Sequence, residues 1–371
     1  MKYKLKDIFD LQMGKTPSRN NAEYWNTNDY KWISIADLTK TGKYISETKE
    51  YISESAVGAS GIKVIPANTV VMSFKLSIGK TAITAEAMYS NEAIMSFHDR
   101  HVVEILPEYI YYMFKYKDWN EGSNKAVMGK TLNKATLSEV EIEICSIMEQ
   151  REIVNVLDKM SSVLERRKDE LSALDDLVKA RFVEMFGNPL DKSKTNKFFL
   201  ECVDFNPKKS EVKNLMDEIV SFVPMECVGI DGSFTIKEDG FIKDYYKGYT
   251  YFKDGDVLFA KITPCFENGK VAIAENCTNG IGFGTTEFHV ARPIDGVSNS
   301  CWIKYMLKND NVHGLATINM TGSAGQKRIQ TPFFEKLKIY LPPIKLQEQF
   351  ADFVRQVDKS KFCSSENTRR T

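Results

Sequence analysis

The chain repeats itself. Residues 130–133, Lys-Thr-Leu-Asn, correspond to 327–330, Lys-Arg-Ile-Gln, and 137–142 correspond to 334–339. Ser146-Ile147-Met148-Glu149-Gln150 corresponds to Pro343-Ile344-Lys345-Leu346-Gln347, again at an offset of 197. Upstream the offset drifts through small insertions: 112–115 meet 305–308 at 193, Glu92 meets Glu287 at 195, and Gly79-Lys80 meets Gly269-Lys270 at 190. Matches kept in order over so long a period indicate two copies of one supersecondary plan, each needing its own core. A length of 371 residues suits that reading, since about 150 residues per domain gives two or three units.

Each copy starts as a mixed α/β unit. Residues 70–75 and 256–261 are short, β-branched and aromatic, as buried strands are, and residues 108–116 and 301–308 have the spacing of short amphipathic helices. Each copy then ends in a helix. Residues 148–186 contain no proline or glycine, and Ile153, Leu157, Met160, Leu164, Leu171, Leu174, Val178 and Met185 recur in steps of 4 and 3. Arg167 and Arg181 interrupt this coiled-coil seam, and Gly187-Asn188-Pro189 stops it. At 1.5 Å per residue the helix would run roughly 60 Å, too long for one small core, so its stripe needs a partner. The second copy supplies one: Pro342-Pro343 opens a helix whose Phe350, Phe353, Val354 and Val357 continue the seam. That helix looks short. The offset would put seam residues at 361, 368 and 371, which hold Lys361, Thr368 and Thr371. The expectation is therefore that the unmatched end of the first helix, 171–186, is under-packed. The expected segments are 1–146, 147–190, 191–342 and 343–371.

Charge and cysteines narrow the classes. The chain carries 50 basic and 50 acidic residues, with 18 of each sign in 1–146 and 19 of each in 191–342, so no basic arm marks a nucleic-acid footprint. Seven cysteines without a C-x-x-C read as reduced thiols. His98 and His101 have no third or fourth ligand nearby, so no metal is expected. The charged start, Met1 to Asp7, lacks the apolar run of a signal peptide, and no stretch is apolar enough to span a membrane, so the expected compartment is the cytoplasm.

Familiar motifs fail. The Gly-Lys-Thr triplets at Gly14, Gly79 and Gly129 lack the earlier glycine of a phosphate loop. Gly282-Phe283-Gly284 lacks the third glycine of a dinucleotide loop. Leu341-Pro342-Pro343-Ile344 lacks the amide and the aromatic of an adenine-methylating loop. No nucleophile–base or paired-carboxylate constellation stands out, so no catalytic residues are expected.

Three strings complete the pattern: residues 148–153 (Met-Glu-Gln-Arg-Glu-Ile), residues 180–189 (Ala-Arg-Phe-Val-Glu-Met-Phe-Gly-Asn-Pro), and Val223-Pro224-Met225-Glu226. In this order, with the duplication, the chain resembles the specificity (S) subunits of type I restriction-modification systems, to about residue 362. The resemblance implies an α+β fold of two tandem α/β target-recognition domains separated by long helices that pair as an antiparallel coiled coil, with an internal pseudo-twofold repeat. It implies a non-catalytic subunit that reads a bipartite site on double-stranded DNA, and partnership with two modification subunits and with restriction subunits. S-adenosylmethionine, ATP and Mg would belong to those partners, and this chain would carry no cofactor. Half-sites about one helical turn apart, roughly 34 Å, suit two domains on a spacer.

Phosphate contacts call for Lys, Arg, Ser and Thr on loops, and base readout for Arg, Lys, Asn or Gln. The candidates are Lys15, Thr16, Ser18 and Arg19, in a Gly-x-Thr-Pro-Ser loop that resembles one in such domains. Lys208, Lys209 and Ser210 form its counterpart. Lys75, Ser77 and Lys80 match Lys261, Thr263 and Lys270, and Lys130 matches Lys327 and Arg328. Three other readings stand beside this one: a fused restriction or modification enzyme, for which no room remains; a protein-binding coiled-coil scaffold; and a silent, truncated specificity subunit.

Overall fold

The computed structural model describes residues 1–25, 27–75, 77–119, 132–323 and 325–366, the side chains of 362–366 excepted. The chain divides into two compact units, Met1–Glu165 and Arg166–Thr371, and the division falls inside one helix.

The first unit runs β1 (Lys2–Lys4), α1 (Leu5–Ile8), β2 (Phe9–Met13), β3 (Tyr30–Ile33), α2 (Ile35–Lys40), β4 (Tyr44–Ile45), β5 (Glu50–Ile52) and α3 (Glu54–Ser60). It continues with β6 (Val70–Ser73), β7 (Thr81–Thr84), β8 (Tyr89–Ser90), β9 (Ile94–Asp99), α4 (Pro107–Tyr116), α5 (Lys134–Ser138), β10 (Glu141–Glu143) and α6 (Ile147–Phe186). A five-stranded sheet in the order β2-β9-β6-β7-β4 lies beside a three-stranded one, β5-β3-β8. Strands β6 and β7 are buried throughout, which explains their near-continuous apolar sequence. Ile110, Tyr111, Tyr112 and Phe114 of α4 close the core against Val70, Met72 and Phe97.

The second unit holds the rest of α6, then β11 (Lys197–Phe198), β12 (Val203–Phe205), β13 (Ile219–Val223), β14 (Glu238–Phe241), α7 (Ile242–Tyr245), β15 (Thr250–Lys253) and β16 (Val257–Ala260). It ends with β17 (Val271–Ile273), β18 (Ile281–Gly284), β19 (Phe288–Pro293), α8 (Ser300–Leu307), α9 (Asp310–Ile318), α10 (Thr331–Lys336), β20 (Lys338–Ile339) and α11 (Ile344–Glu366). Its sheets are β12-β19-β16-β17 and β14-β13-β18-β15. The repeat extends to register. Val71 lies opposite Ser96 in the β6/β9 pair, and Val257 opposite Ala291 in β16/β19, which are the same positions once offsets of 186 and 195 are applied.

Each long helix is fastened to its unit in the same way. Gln150 is fully buried; its Oε1 accepts from the Leu106 N–H at 2.9 Å, and its Nε2 donates to the Glu104 and Cys145 carbonyls at 2.9 and 3.0 Å. Gln347, also fully buried, accepts from the Asn299 N–H at 3.1 Å and donates to the Val297 and Pro342 carbonyls, both at 2.9 Å. Helix α6 opens on a Ser146/Glu149 capping box. It closes on Gly187, whose φ of +71° is left-handed and whose N–H reaches the Val183 carbonyl at 2.8 Å.

Helices α6 and α11 pair within the second unit. The Phe182 and Phe186 rings each lie 5.4 Å from Phe350, and Lys361 reaches Asp175 at 2.6 Å. Residue numbers fall along α6 as they rise along α11, so the pair is antiparallel. Val178, Phe350, Val354 and Val357 are buried in this seam, with Leu174, Met185 and Phe353 packed against it. Leu157 packs on the first core instead. The expected pairing does not extend to Ile153, Met160, Leu164 and Leu171, which are exposed, Met160 and Leu164 at 56% and 55%.

The expected under-packing of 171–186 is also corrected. Phe182 and Phe186 are only 2% and 3% exposed. In an antiparallel pair, the far end of α11 meets the near end of α6. The described part of α11 therefore covers α6 from Phe186 back to Asp175, and the exposed seam residues lie before that, at Ile153, Met160, Leu164 and Leu171.

Candidate functional site

Both units carry the expected basic and hydroxyl side chains at the same place: the loop leaving the first strand of the main sheet, and the ends of the central strands beside it. In the first unit the chain turns at Gly14, where an added Cβ would sit 2.2 Å from the Ser90 carbonyl, so only glycine fits. The N–H groups of Gly14 and Lys15 donate to the Ile94 and Ser90 carbonyls at 3.1 and 2.9 Å, fixing the loop against β9 and β8. Lys15 donates to the Ser60 carbonyl at 3.1 Å, and Thr16 donates to the Glu92 carboxylate. The Ser18 carbonyl accepts from the Trp25 indole at 3.0 Å. Arg19 stacks 3.6 Å over the Trp25 ring and forks onto Glu50, with one bond of 3.1 Å.

At the strand ends, Lys75 extends over Phe74, and the Ser77 carbonyl accepts from the Ser73 hydroxyl. The Lys80 amine donates to Thr39 at 2.7 Å. Burial raises the Glu92 carboxyl, but the Thr16 hydroxyl and the charges of Lys75 and Arg19 outweigh it and hold Glu92 below its usual range. Lys130 lies outside the described residues.

In the second unit the corresponding loop leaves β12 at Asn206, whose φ is +53°. Its N–H donates to the Val290 carbonyl at 2.7 Å and its side chain accepts from the Val290 N–H at 3.0 Å. Lys208, Lys209 and Ser210 then line a cleft with Tyr246, Tyr249 and Tyr251, and Lys209 lies 5.5 Å over the Tyr246 ring. Lys261, Thr263, Lys327 and Arg328 meet on one ribbon. The Thr263 N–H donates to the Lys327 carbonyl at 3.0 Å, and the Lys327 N–H donates back to the Thr263 hydroxyl at 3.1 Å. Arg328 forks onto Glu287, Nε to Oε2 at 3.0 Å and Nη2 to Oε1 at 2.8 Å. The same guanidinium holds the Glu287 carboxyl well below its usual range. Lys270 points inward, donating to the Met225 carbonyl at 2.9 Å, so it offers no free cation.

A model of the type I restriction modification DNA specificity domain matches residues 1–173 and 230–370. The chain belongs to that family. Among curated specificity domains, it is 47% identical over 150 residues to the Type I restriction enzyme EcoAI specificity subunit of Escherichia coli, covering 39% of this chain and 25% of that one. It is 31% identical over 225 residues to the MjaIX specificity subunit of Methanocaldococcus jannaschii, covering 60% and 48%. The chain thus spans a quarter to a half of the length of these relatives. Among solved structures, the type I restriction-modification S subunit from M. genitalium superposes with a TM-score of 0.52 at 14% identity, over 99% of this chain and 91% of that one. A structure described as the basis of complex assembly and conformational transition of the type I R-M system gives 0.56 at 15%, over 100% and 94%. These likenesses carry the α+β two-unit fold with a long helix between the matched regions.

The two units carry different aromatic clusters beside their loops. Arg19, Trp25 and Trp32 form one aromatic edge; Phe222, Tyr245 and Tyr249 form another, with Phe222 and Tyr245 stacked at 4.8 Å. Reading the sequence missed both, because the rings converge from separate loops. It also missed Glu50, Glu92 and Glu287, the partners of Arg19, Thr16 and Arg328. Among the described residues no cluster of His, Cys, Asp and Glu is placed to hold a metal, and no helix is long and apolar enough to cross a membrane.

Proposed function

We propose that this chain is the cytoplasmic, non-catalytic DNA-recognition subunit of a type I restriction-modification complex, reading a bipartite site with one unit on each half. The observation that carries the reading is duplication of the surface: in both units, a loop and neighbouring strand ends bring Lys, Arg, Ser and Thr together. Lys75, Ser77, Lys208, Lys209, Ser210, Lys261 and Lys327 are the proposed phosphate contacts, and Arg19 and Arg328 the proposed fork donors. Thr16 is the proposed hydroxyl contact of the first unit, and Lys15, Ser18, Lys80, Thr263 and Lys270 support the loops through the bonds described above. Because the two aromatic edges differ, the two half-sites should differ. Modification and restriction subunits would bring the methyl donor, ATP, Mg and the chemistry.

The bare stretch of α6 favours a second reading, an assembly-deficient or silent form of the same subunit. Co-expression with the modification subunit, followed by long-read mapping of methylated adenines, tests both. One bipartite motif supports recognition. A purified complex without methylation supports the silent form, and no complex supports a scaffold.

A further inference from the structure

The candidate surface keeps an acidic residue at the same place in each unit. The Phe74 N–H donates to the Ala93 carbonyl and the Lys261 N–H to the Glu287 carbonyl, extending the β6/β9 and β16/β19 registers by one step each. Lys261 thus stands across from Glu287, and Glu92, the counterpart of Glu287 in the repeat, lies close enough to Lys75 for that charge to act on its carboxylate. An acid costs binding energy on a surface that meets phosphates, through like-charge repulsion. Two copies that have diverged in loops and aromatic edges both retain it.

What each carboxylate does is also alike. Glu92 takes the Thr16 hydroxyl, and Glu287 takes the Nε/Nη2 edge of Arg328. Arg328 Nη1 also donates to the Gln326 carbonyl at 3.3 Å. A guanidinium has about five N–H donors, so two remain, on Nη1 and Nη2. That pair suits a bidentate acceptor, either guanine O6/N7 or a phosphate.

We propose that Glu92 and Glu287 are one duplicated positioning residue, each carboxylate orienting the side chain of its own unit that meets DNA: in the first the Thr16 hydroxyl, which gives its one proton to Glu92 and meets DNA as an acceptor, and in the second the Arg328 guanidinium. The inference rests on the DNA-recognition reading above. Neither glutamate touches DNA in this scheme. Each restricts the rotamers of that side chain, so that it reaches DNA already oriented.

The test uses the complete complex with its modification subunits, the duplex whose motif the methylation map defines, and a scrambled duplex of equal length. E287Q keeps shape and removes charge. Binding to scrambled DNA should hold or tighten, binding to the motif should weaken, and the ratio should fall about tenfold, with the loss confined to one half-site. E92Q should do the same at the other half-site. E287Q should add nothing in an R328A background. R328K separates the two acceptors: lost discrimination with affinity retained means a base, whereas discrimination and affinity both kept means a phosphate held by charge. Equal tightening on both duplexes in E92Q and E287Q overturns the proposal, as does a full E287Q effect in R328A. Sequence-blind binding by the unsubstituted complex would instead overturn the recognition reading, and this proposal with it. Melting temperatures matching the parent exclude unfolding as the cause.

Discussion

At the scale of single residues, the two buried glutamines each join a long helix to its unit. Gln150→Leu should leave one N–H and two carbonyls without partners in a dry site, costing about 3 kcal/mol. Gln347→Leu should cost a similar amount, and urea unfolding measures both. His289 gives a pH signature. Its Nε2 donates to the Ile329 carbonyl at 3.0 Å and its Nδ1 accepts from Asn206, so the fold needs the neutral ring. Burial pushes it down to about 4, below the unfolded value near 6.5. A depressed folded pKa means that stability is complete above 6.5 and is lost as pH falls toward 4, by about 3 kcal/mol. Melting curves of His289→Gln should be flatter across that window than those of the parent. The sequence placed Gln150 and Gln347 in register without revealing their role, because a glutamine in a polar helix stretch looks like any solvated one. Only the closure of Leu106 and Asn299 over them makes it visible.

At the scale of elements, most of the helical plan was legible. Helix α6 covers the expected 148–186 and stops at Gly187, and β6 and β16 lie within the expected strands. The direction of pairing misled the reading of α11. A repeat maps residues by a constant difference, whereas an antiparallel pair maps them by a nearly constant sum: Asp175 with Lys361, Phe186 with Phe350. Seam residues of like spacing therefore diverge in fate. Phe182→Ala and Phe350→Ala should each cost about 4 kcal/mol by opening a packed aromatic site. Met160→Glu and Leu164→Glu should change the stability of the isolated chain by less than about 0.5 kcal/mol. Denaturant midpoints of the four variants give the contrast directly.

At the scale of the whole molecule, zero net charge hides local asymmetry. Acidic partners neutralise Arg19 and Arg328, while Lys208 and Lys209 have no carboxylate ion pair among the described residues. Replacing both lysines by alanine should weaken binding to all sequences alike and reduce the slope of log affinity against log salt by about 2. Binding titrations at several ionic strengths measure it. Composition could not show this, since paired and unpaired lysines count the same.

The glutamine clasps have an evolutionary consequence. Every bond that Gln150 and Gln347 make goes to main-chain N–H or C=O groups. A joint that recognises only backbone does not inspect the side chains of the unit it holds. Substitutions at the residues whose main chain forms each socket leave these bonds intact, so variation there is held back only by the side-chain packing around the clasp, such as Tyr112 on Asp158 and Tyr305 on Phe350.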